Sequence, residues 1–230
     1  MINKPGLFSH IHSFVMIAVI KGDIIASRGM EDQSKWLAPF KDLLSSWGQS
    51  PMQWELVWGD LFQLEIENPE EALYKAFRIK ALIKKLAIEP NKATHSGLDI
   101  RMSIGIGEKT FYGTRISESN GPAFIFAGEQ FDKLKKEKVN LMVKTSNVSF
   151  NYEMNLYLRL AGIFMDNWSV YSAELVDLVL QQPHLTQAEL GEYLKIKQNS
   201  VSGRWNRSKI DELLEVETIY RHKLQQHLLS

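Results

Sequence analysis

The sequence predicts an α+β fold: a mixed or antiparallel sheet with helices over residues 14–150, then an all-helical segment over 151–230. Three observations carry that prediction. Runs of β-branched apolar residues alternate in the first part with runs of helical period, in the order β, α, β, β, α, β, α, β. From about Tyr152 onward the apolar residues recur at helical spacing. Near the C-terminus, Leu185 to Lys209 (LTQAELGEYLKIKQNSVSGRWNRSK) reads as two short helices joined by a tight turn, the spacing of a helix-turn-helix.

Composition narrows the classes of function. A chain of 230 residues that is 44% hydrophobic and 23% charged can build an ordinary globular core. With no cysteine, disulfides and thiolate chemistry are excluded, and a cytoplasmic location is expected. The formal net charge is zero, so any nucleic-acid binding has to come from a local basic face and weaken with salt. No apolar run approaches the roughly 20 residues of a membrane span, so no membrane partner is expected. Residues 1–13 lack a clear period and read as an N-terminal extension, with Met16 an alternative start. His10 and His12 in that extension have no third partner for a metal.

In chain order, Phe14 to Ala26 is nearly continuously apolar and β-branched, which suits a central strand buried on both faces. Trp36, Leu37, Phe40, Leu43, Leu44 and Trp47 make an amphipathic helix of Ser34 to Trp47. Two alternating runs flank Gly59-Asp60 and predict a hairpin within Met52 to Ile66. Pro69 opens a helix reaching about Ala87, with Glu70 and Glu71 in the turn where the macrodipole favours acids. Asp99 to Gly107 reads as a strand in which Gly105 and Gly107 permit a close approach. Pro122 opens the next helix, KLKKEK closes it, and Asn140 to Thr145 is an edge strand. This order implies a sheet with its helices on one side.

In the C-terminal part, Tyr152 to Trp168 is a long helix suited to a connector or dimer contact, and a second helix ends before Pro183. Thr186 and Glu189 fit a capping box, and Leu185 and Leu190 a hydrophobic staple. Gly191 leaves room for two helices to cross closely. Regulators often carry Gly where this turn has Lys195, which must take a different turn or a left-handed conformation. Lys195, Lys197, Arg204, Arg207 and Lys209 follow one another with no acid between them. Gln198, Asn199 and Ser200 stand where a recognition helix meets base edges, and Arg204 could reach guanine or phosphate. Lys197, Ser202, Arg207, Lys209 and Thr186 are candidates for phosphate contacts.

Lys21-Gly22-Asp23, Gly59-Asp60, the strand Arg101 to Glu108 (RMSIGIGE) and the helix Ser119 to Leu134 (SNGPAFIFAGEQFDKL) resemble the SatD family, small bacterial proteins described as regulators. The resemblance extends over most of the chain. More remotely, the N-terminal half resembles the class III nucleotidyl cyclases, which implies a ferredoxin-like sheet. In those enzymes one carboxylate follows the first strand and another sits in the hairpin, and together they hold the metals. Asp23 and Asp60 match those positions and could hold Mg²⁺ or Mn²⁺ with a nucleotide; the alternative is that Gly-Asp is ordinary turn chemistry. The Asn and Arg of the cyclase helix correspond to Ile125 and Glu129, which can neither orient a ribose nor stabilise a polyphosphate. Cyclase turnover is therefore not expected.

The leading expectation is a cytoplasmic, homodimeric regulator that binds DNA through residues 185–209, with a cyclase-like domain for sensing or dimerisation. Its rivals are a metal-dependent nucleotide-binding or phosphoryl-transfer protein using Asp23 and Asp60, and a protein-interaction adaptor.

Overall fold

The computed structural model describes residues 15–25, 34–57, 59–86 and 97–228. The N-terminal extension, including His10 and His12, lies outside these residues. The fold is α+β. Its elements are β1 (Val15–Ile25), α1 (Ser34–Ser45), β2 (Trp54–Val57), β3 (Leu61–Ile66), α2 (Ala72–Lys85), β4 (Asp99–Lys109), α3 (Pro122–Glu137), β5 (Leu141–Lys144), α4 (Val148–Met165), α5 (Val170–Gln181), α6 (Gln187–Leu194), α7 (Gln198–Ser208) and α8 (Ile210–Leu228).

Among the described residues five strands lie in the order β2-β3-β1-β4-β5, antiparallel except for the parallel β4–β5 pair. β1 is central, as its two-faced apolar pattern predicts. Its Ala18, Ile20 and Ile24 join Phe62, Leu64, Ile100, Met102 and Ile104 under Trp36 and Phe40 of α1 and Leu73 and Phe77 of α2. The alternate residues Ile17 and Val19 point the other way, onto Ala123 and Ala127 of α3. The helices therefore cover both faces, and the expectation of a one-sided sheet is corrected. The glycines of β4 explain why α3 can sit there. A Cβ on Gly105 would lie 2.1 Å from the Ala123 carbonyl oxygen, so only glycine lets the helix backbone approach so closely.

β5 is the edge strand the sequence predicts, and α4 closes it. Asn155 Oδ1 accepts the Val143 amide at 2.8 Å while Asn155 Nδ2 donates to the Val143 carbonyl at 2.8 Å. One turn earlier, Asn151 treats Thr145 the same way, at 2.7 and 2.8 Å. Two side-chain amides thus satisfy Val143 in the strand and Thr145 just past its end, as another strand would.

The boundary expected between residues 150 and 151 falls inside α4, and packing runs continuously across it. One hydrophobic cluster extends from the sheet through α2 to α5, α7 and α8. Buried polar contacts cross as well. Asp177 of α5, 2% exposed, pairs with Arg78 and Lys85 of α2, and the Tyr74 hydroxyl donates to the Leu180 carbonyl at 2.7 Å. Lys80, 1% exposed, bridges Asp99 at 2.7 Å and Asp166 at 2.5 Å. Lys84 donates to the Asp166 carbonyl at 2.8 Å, and burial pushes its ammonium below the ordinary lysine value against the opposing pull of Asp99.

Candidate nucleic-acid interface

The two short helices form as their sequence predicts. Thr186 caps α6: its Oγ accepts the Glu189 amide at 3.3 Å, and Glu189 Oε2 accepts the Thr186 amide at 2.7 Å. That amide, followed by the Thr186 hydroxyl, holds the Glu189 carboxyl below its usual range. The Thr186 hydroxyl also donates to Glu189 at 2.7 Å, so both its roles are occupied beside an anion. Lys195 ends α6 in the left-handed region at φ 53°. That cap costs about 1 kcal/mol relative to glycine. Gly191 is buried, and a Cβ there would lie 2.8 Å from the Ile196 carbonyl oxygen.

Helix α7 is fixed from inside. Val201 is fully buried, Trp205 packs against the same core, and the Ser208 carbonyl accepts the Trp168 indole N–H at 2.9 Å. On its outer side Gln198, Asn199, Ser200, Asn206 and Arg207 are exposed and Ser202 is half-buried. Lys197, at the N-cap, is exposed and makes no side-chain cap bond. Neither Lys197 nor Arg207 has an ion-pair partner among the described residues.

Two of the basic residues are otherwise engaged. Arg204 turns inward onto α5, where its guanidinium donates to Glu174 at 3.0 Å and lies 4.9 Å from the Tyr171 ring centroid. Lys209 takes a left-handed conformation at φ 57° and pairs with Glu212 at 3.0 Å. The exposed basic groups left on and beside α7 are Lys195, Lys197 and Arg207. Asn206, exposed two turns beyond Asn199, was missed in the sequence; its residue type and its seven-residue spacing from Asn199 were the available signals.

The aspartates are set at one end of the sheet. Asp23 pairs in register with Leu61, and the Ile24 amide donates to the Asp60 carbonyl at 3.0 Å. The Asp23 carboxylate, however, sits in a two-pronged contact with Arg101, one arm at 2.9 Å from Nε and the other to the second guanidinium nitrogen. Among the described residues no group of three or more His, Cys, Asp or Glu could hold a metal ion. Ile125 is exposed, and Glu129 pairs with Lys144, which holds its carboxyl below the usual range. Among the described residues no helix is long and apolar enough to cross a membrane.

Comparison with protein-family models, with curated proteins and with solved structures found no match for this chain.

Proposed function

We propose that the protein is a DNA-binding transcriptional regulator of the SatD type, acting as a homodimer, with α6 and α7 as its helix-turn-helix. The observation that carries this reading is the division of α7 into two faces. Its inner face is committed to the core, while its outer face offers Gln198, Asn199, Ser200 and Arg207 to solvent beside an uncapped N-terminus. Amide and hydroxyl side chains suit base edges, and Lys197, Arg207 and the free helix-start amides suit phosphates. Arg204 and Thr186, by their contacts, serve the scaffold of the motif, and Lys209 caps its second helix. A single such module reads few base pairs, so two half-sites about one helical turn apart are expected. The β-α-β-β-α-β order and the β2-β3-β1-β4 sequence of strands support a ferredoxin-like, cyclase-like N-terminal part.

The test is affinity for a mixed-sequence duplex of about 30 base pairs, measured across salt for wild type and for Lys197→Ala with Arg207→Ala. The double variant is expected to flatten the log–log salt slope by about two, one for each lost phosphate contact. Absence of binding at low salt, or identical slopes, overturns the reading.

A second reading is metal-dependent nucleotide binding at Asp23 and Asp60. The backbone bond that sets them at one sheet end favours it. It requires Arg101 to exchange the Asp23 carboxylate for a phosphate. ATP with Mg²⁺ or Mn²⁺ would then raise the unfolding temperature of wild type and not of Asp23→Asn. No shift with either metal sinks it.

A further inference from the structure

Helix α4 is apolar on two sides. Phe150, Met154, Leu158, Ala161 and Met165 are buried in the core. On the opposite side Val148, Tyr152, Leu156, Leu160 and Ile163 are between 43% and 80% exposed. Their spacing of four, four, four and three places them in one row about 22 Å long. An exposed apolar row over four turns of a helix marks an interaction surface. We infer that this row is the contact face between two copies of the chain, paired through α4 about a twofold axis.

Three features favour a second copy as the occupant. The first is area. The five residues are 43% to 80% exposed, roughly 600 Å² in all, so complete burial of the row in both copies would remove about 1,200 Å², the lower bound of a stable interface. The second is shape. A groove of ≈ 380 Å³ runs beside the row, walled by Lys133, Glu137, Tyr152 and Arg159. A ridge with a groove alongside is self-complementary under twofold rotation, each ridge seating against the other copy's groove. The third is charge. Arg159 and Glu137 both border the groove, and neither has an ion pair among the described residues, so the surface carries both signs for matching across the axis. The neighbouring route to self-association, strand pairing at β5, is already closed by Asn151 and Asn155.

The inference rests on the homodimer of the proposed function and gives it a contact face, but its test needs no DNA: loss of DNA binding leaves this face standing, and a dimer that ignores changes in the row removes the face alone. Sedimentation of the full chain over a range of concentrations is expected to give a dimer for wild type. The variant Tyr152→Glu with Ile163→Glu should raise the dissociation constant at least about a hundredfold with an unchanged circular dichroism spectrum. Because the chain has no cysteine, single introduced thiols report proximity directly. A short bis-maleimide should link Leu160→Cys into a covalent dimer and leave Asn206→Cys without a covalent link. A wild type that is monomeric at about 100 μM, or a dimer that survives the double glutamate variant, overturns the inference.

Discussion

Tyr220 shows how one residue's surroundings set a pH limit on the fold. Its hydroxyl is fully buried and donates to the Pro69 carbonyl at 2.7 Å. Burial, with Glu217 beside it, raises the phenol well above its ordinary value of 10.0. The unfolded chain gives up that proton near pH 10, whereas the folded chain keeps it. Above that pH the folded state binds more protons, so this contribution to stability is full below pH 10 and falls as pH rises further. Tyr220→Phe should cost about 1 kcal/mol at neutral pH, by leaving the Pro69 carbonyl unpaired, and should flatten the alkaline decline. Urea unfolding on either side of pH 10 checks both. The sequence shows that Tyr220 is apolar-periodic, but not that a proline carbonyl 151 positions away accepts its hydrogen bond. Arg204 teaches the same lesson. Its residue type and helical position suggested nucleic acid, while Glu174 and Tyr171, a helix away, decide where its guanidinium points.

At the scale of elements, local signals were the most legible. The capping box at Thr186, the hairpin around Gly59-Asp60, the proline start of α3 and the left-handed option at Lys195 are all written within a few residues. What α2 does was hidden. Lys80 and Lys84 interrupt its apolar pattern, yet they are buried because Asp99 and Asp166 arrive from distant elements. The asparagines of α4 were equally silent, since an amide on a helix reveals nothing about the strand it bonds. Asn155→Leu should destabilise the fold by about 2 kcal/mol, because the Val143 amide and carbonyl lose their partner in a buried place. Chemical denaturation measures that cost. Increased light scattering at equal protein concentration should accompany it, as an unprotected edge strand recruits other chains.

For the molecule as a whole, class and element order were readable and layering was not. A crossover helix can lie on either face of a sheet, and the determinant here is a backbone contact between Gly105 and α3. The division near residue 150 rested on a change of periodicity, which marks where strands stop and not where a core stops. The core continues because α2 presents one face to the sheet and a charged, partly apolar face to α5.

That shared core bears on how such a chain can change over evolutionary time. DNA-reading modules are commonly exchanged between proteins as self-sufficient cassettes. The helices after β5 are unlike a cassette, because α5 meets its charge partners on α2 and α8 anchors its phenol on the segment before α2. Moving them to another protein would strand a carboxylate and a hydroxyl without partners. A substitution of Arg78 or Lys85 on α2 would likewise leave the Asp177 carboxylate of α5 buried without one of its charge partners.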